Sequence, residues 1–115
     1  MNLEPKWEAE YQKEIEHALQ ARSSHNEGMA RVCARRAAGV VIGEYLNRCG
    51  YSNLTHSAYA RLSIFMSLPN TNQKSKEIAS HLLLKVNKDH LLPMEADLIS
   101  EVMWLKKSLF SESIE

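Results

Sequence analysis

Lys85, Asn87 and His90 share one short segment, and together they offer the side chains that a phosphoryl group calls for. A histidine near neutral pKa can move a proton, a lysine can stabilise phosphoryl charge, and an asparagine can orient either of them. The same stretch, with Lys88 and Asp89 between, also reads as an ordinary polar turn, and lysine with histidine at this spacing arises often by chance. The turn is the simpler reading.

A second candidate lies in the segment from Met29 to Leu46, MARVCARRAAGVVIGEYL, which combines many small and apolar residues with three arginines. Arg31 and Arg35 are one helical turn apart and share a face, whereas Arg36 points about 100° away. They suit an anion clamp for phosphate or RNA, or internal ion pairs with Glu10, Glu14 or Glu16. The ion pairs are preferred, because a half-buried arginine without a carboxylate carries a heavy desolvation penalty. Gly39 and Gly43 fall on one face of the same helix, where each glycine costs about 1 kcal/mol against alanine. Such a face lets another backbone come close, either a helix of the same chain or a second copy in a dimer.

The five histidines include no pair at helical three- or four-residue spacing, and neither cysteine adjoins one, so no local metal site is expected. Cys33 and Cys49 would sit about 24 Å apart along one helix, too far to pair, and read as small apolar side chains. No motif calls for a cofactor.

These side chains must be positioned by helices, since no stretch alternates as a strand and no repeat period is visible. The spacing predicts helix 1 from about Leu3 to Arg22, with Pro5 in its first turn and Trp7, Tyr11, Ile15, Ala18 and Leu19 inward. Helix 2 follows the polar connection Ser23 to Gly28, runs to about Arg48 and stops at a left-handed Gly50. Asn53 or Thr55 caps helix 3, with Ala58, Leu62, Phe65 and Met66 inward as far as Pro69. Helix 4 spans about Asn72 to Val86 with Ile78, Leu82 and Leu83 inward. Pro93 opens helix 5, whose inward stripe is Leu98, Ile99, Val102, Leu105 and Leu109. Met1 to Glu16 carries five glutamates against two lysines, and Gly28 to Arg48 four arginines against one glutamate, so helices 1 and 2 are expected to pair as a hairpin.

The run RVCARRAAG (Arg31 to Gly39), continued by Glu44, Tyr45 and Leu46, the turn at Gly50, and His56 ahead of Tyr59 and Leu62 resemble the second and third helices of HEPN domains. Leu91 to Leu105, LLPMEADLISEVMWL, is similar to their last helix. The resemblance covers most of the chain and rests on small and apolar positions. It implies an up-and-down helical bundle, frequent homodimerisation and, in some members, metal-independent ribonuclease activity through an arginine followed by a histidine. Here Lys85 stands where that arginine would precede His90, and lysine lacks the planar donor fork.

Length and charge complete the expectation. A chain of 115 residues suits one domain, 1–115, and a formal net charge of +0 does not gather polyanions. The glutamate-rich start is unlike a secretory signal, and the apolar run from Ala37 to Gly43 is too short for a bilayer, so a cytoplasmic protein is expected. The expected protein is an all-α, HEPN-like bundle of four to five helices. Helix 2, apolar on two sides, suggests a homodimer. The favoured function is a non-catalytic interaction or regulatory module with a protein partner, RNA not favoured and no membrane. An endoribonuclease using Lys85 and His90 and a small-molecule-binding bundle are the alternatives.

Overall fold

The computed structural model describes residues 5–51, 55–69, 71–84 and 97–110, and these form an all-α bundle. The helices are α1 (Lys6–Ser23), α2 (Glu27–Arg48), α3 (Ala58–Met66), α4 (Gln73–Leu83) and α5 (Leu98–Phe110). No described helix is long and apolar enough to cross a membrane.

Local chemistry sets the ends. Asn26 and Asn72 accept the amides of Met29 and Ser75, capping α2 and α4. For α3 the cap is Ser57, not Asn53 or Thr55: its hydroxyl accepts the Ala60 amide, while Thr55 Oγ1 accepts the amide of Ser57 itself. Asn53 lies outside the described residues, as do Leu3, Val86 and Pro93. Pro5 sits at the cap position of α1 rather than inside its first turn.

Both long helices end in the same way. Gly50 takes φ 100°, and the amides of Gly50 and Tyr51 return to the carbonyls of Asn47 and Leu46. This is the expected left-handed cap. At the end of α1 the left-handed position is filled by His25 at φ 62°, with His25 and Asn26 bonded back to Arg22 and Ala21. The chain therefore reverses tightly, and α1 packs along α2 as a hairpin.

The core gathers around α2, whose Ala30, Cys33, Ala34, Ala37, Ala38, Val41, Ile42 and Leu46 are buried. Small residues around the helix let α1, α3 and α5 all approach it. That answers the two-sided apolar pattern within one chain. Tyr11, Ile15 and Ala18 of α1, Leu62 and Phe65 of α3, Ile78, Ala79 and Leu82 of α4, and Leu98, Ile99, Val102 and Leu105 of α5 close the core. Leu19, expected inward, is 48% exposed. Cys49 is exposed too, so only Cys33 is a buried apolar side chain; both thiols are free.

An aromatic chain crosses this core. Phe65 meets Tyr45 edge-on at 5.8 Å, Tyr45 meets Phe110 at 6.4 Å, and Phe110 lies on Trp7 at 4.7 Å. It thus links α3, α2, α5 and α1. Burial raises the Tyr45 hydroxyl pKa, and the neighbouring Cys49 adds to the rise.

At the hairpin end Arg22 bridges Glu27 at 2.8 Å and Asp97 at 3.0 Å, tying α1 to the start of α2 and to the residue before α5. The Arg22 hydrogen bond holds the Glu27 carboxyl below its usual range, and Asp97 is lowered by Arg22 and Ser100 against an opposing effect of burial. Depressed carboxyl values stabilise the fold above their unfolded pKa, and the contribution is lost as pH falls through the folded values. Because the network is largely solvated, the expected effect is small, about 0–1 kcal/mol per pair. Urea midpoints should fall between pH 6 and pH 3, and Arg22→Gln should flatten that slope. An unchanged slope would show that the network contributes nothing.

Candidate functional site

The best-formed cleft among the described residues lies between α1, α2 and α3 and encloses about 610 Å³. Val32, Arg35, Arg36, Gly39 and Val40 of α2 line it, facing Glu10 and Glu14 of α1 and His56, Ala58, Tyr59 and Arg61 at the start of α3. Its volume is that of a small-molecule site. Five of its eleven lining residues are charged, two glutamates and three arginines.

Each cleft arginine is positioned by the fold. Arg35 Nε donates to the Leu82 carbonyl at 2.8 Å, and its guanidinium stands 4.7 Å from the centre of the Tyr59 ring. Leu82 is in the last turn of α4, where carbonyls lack helical partners, so Arg35 acts as a cap in trans at the negative end of that helix. Arg61 Nε donates to the Thr55 carbonyl at 2.7 Å and Nη1 to the Gly39 carbonyl at 2.9 Å. It fastens the residues before α3, including His56, against α2. Arg36 is exposed and lines the rim.

Gly39 and Gly43 make room for this arrangement. A Cβ on Gly39 would come within 2.9 Å of the Ala58 Cβ and 3.2 Å of its Cα, and one on Gly43 would run into the Arg61 guanidinium. The close partner of the glycine face is therefore α3 of the same chain. His56 precedes the Ser57 cap instead of belonging to the first turn of α3.

The arginine pairing expected from the sequence is rearranged. Arg35 forms no ion pair with Glu10, Glu14 or Glu16 among the described residues; its partners are the Leu82 carbonyl and the Tyr59 ring. Arg36 and Arg61 accompany it in the cleft, while Arg31, half-buried, is not part of the lining. Lys85, Asn87 and His90 lie outside the described residues. The clue to Arg61 was present in the glycine spacing, since a helix packed on Gly39 and Gly43 brings its own first-turn side chains to α2. Ala58 was expected inward, but nothing in the sequence matched it to Gly39.

Cys33, next to the cleft residue Val32 in sequence, is buried, which raises its thiol pKa; Glu14 adds to the rise and Arg36 opposes it. Both walls of the cleft therefore act electrostatically on one buried group. Among the described residues no group of three or more His, Cys, Asp or Glu side chains is placed to hold a metal ion. Set against family models, curated proteins and solved structures, the chain gives no match.

Proposed function

We propose that this chain is a non-catalytic, HEPN-like helical module that binds a small oxyanion, phosphate or carboxylate, in the cleft between α1, α2 and α3. The observation that carries the reading is the convergence of Arg35, Arg36 and Arg61, with His56, on one concave site. Arg35 and Arg61 are fixed in advance by backbone carbonyls, so little order is lost when a ligand arrives. Guanidinium groups suit such a ligand because their planar donors match its oxygens. Val32, Val40, Ala58 and Tyr59 add apolar surface beside these charges, so the ligand can carry a short carbon stem as well as its oxyanion. Lys85 in the place of an arginine favours binding over RNA cleavage.

Titration with ethyl phosphate at low salt, followed by amide chemical shifts, tests the reading. Saturable shifts are expected at Arg35, Arg36, Gly39 and His56, weakening as salt is added. Arg36→Met, on an exposed side chain, should abolish them and leave the fold intact. Arg35→Met should abolish them and also lower stability by about 1–3 kcal/mol, because the Leu82 carbonyl loses its donor. Absence of saturable shifts, or shifts confined to another face, would overturn the proposal.

A further inference from the structure

Three arginines account for only one wall of the cleft. The opposite wall is Glu10 and Glu14, four residues apart on α1 and so on one face of that helix. Neither carboxylate takes a hydrogen bond or ion pair among the described residues, and Glu14 Oε1 is shut off from solvent without a donor. A carboxylate so placed has lost hydration on one oxygen and gained nothing in return. A ligand bearing only negative charge would be repelled by both glutamates, whereas a cationic group would be attracted by them.

Resting on the anion-site reading above, we propose that the cleft takes a small zwitterion, its oxyanion against Arg35, Arg36 and Arg61 and its ammonium against Glu10 and Glu14. The ammonium then lies against the two carboxylates and the oxyanion against the three arginines, each end of the ligand meeting opposite charge. The two walls come from different helices, so the cleft reads the separation of charges within the ligand as well as their signs. The chemistry is that of an aminoalkyl phosphate or amino acid, free or presented as a lipid headgroup.

The test compares O-phosphoethanolamine with ethyl phosphate, which share a two-carbon phosphate ester and differ in the ammonium group. Calorimetry at low salt should show O-phosphoethanolamine binding about tenfold more tightly, the scale of one charge-assisted contact. Glu14→Gln and Glu10→Gln should each erode that preference while leaving affinity for ethyl phosphate equal or improved. Circular dichroism checks that the variants fold, and Glu10, being exposed, serves as the safer of the two. Equal affinity for the two probes in wild type would overturn the zwitterion and leave the anion site standing. Failure of both probes to bind would remove the anion site and this inference with it. Sedimentation with phosphatidylethanolamine vesicles, against phosphatidylcholine alone, identifies the source: pelleting marks a lipid headgroup, and protein left in the supernatant while the soluble probe binds marks a free zwitterion.

Discussion

Truncating Phe65 to alanine is expected to remove about 3–5 kcal/mol of stability, the range for a buried aromatic whose cavity cannot collapse. Phe65 is 0% exposed and sits at the α3 end of the aromatic chain that continues through Tyr45 and Phe110 to Trp7. Removing it costs the ring's own transfer energy and also deprives Tyr45 of its edge-on partner, a contact of about 0.5–1.5 kcal/mol. Domains of this size hold about 5–15 kcal/mol in all, so the variant should unfold at a markedly lower urea concentration. Phe65→Leu, which keeps most of the volume, should recover more than half of the loss. A deficit below about 1 kcal/mol for the alanine variant would mean that α3 does not close the core as described.

The inward positions of α3 and α5 were legible because each helix presents one apolar stripe to one core, and Leu62, Phe65, Leu98, Ile99, Val102 and Leu105 are buried accordingly. The stripe of α1 was drawn one residue too wide. α1 packs chiefly on α2 through Tyr11, Ile15 and Ala18, and Leu19 turns to solvent. For α2 the pattern was read correctly as apolar on two sides, but periodicity within a helix does not state which chain covers it. Here α1, α3 and α5 do.

The cleft was harder to see for a related reason. Arg35 and Arg36 belong to one helix, Arg61 to another and the facing glutamates to a third, so no local spacing joins them. Arg35 illustrates the limit: helical geometry separates it from Arg36 by about 100°, which suggests two different faces. The cleft is wide enough to take in both. Similarly, the desolvation argument correctly demanded a partner for Arg35, but a backbone carbonyl at a helix end satisfies it as well as a glutamate does.

Gly39→Leu is expected to cost about 1–3 kcal/mol or more, and to disable the cleft along with the fold. The added side chain gains about 0.8 kcal/mol in helix propensity, which is outweighed because its first carbon already meets the Cβ and backbone of Ala58. Backbone cannot swing aside as a side chain can. Separating α2 from α3 would also draw Arg61 Nη1 away from the Gly39 carbonyl at 2.9 Å and loosen His56 with it. Gly43→Ala makes the contrast, since the group in its way is the far end of the flexible Arg61 side chain. That variant should fold nearly as well as wild type but bind ethyl phosphate less tightly. A double-mutant cycle completes the argument: Ala58→Gly removes the nearest obstructing atom and should restore part of the stability lost in Gly39→Ala. If Gly39→Ala proves stabilising, with no coupling to Ala58→Gly, then α2 and α3 are not in close contact and the position assigned to Arg61 falls with it.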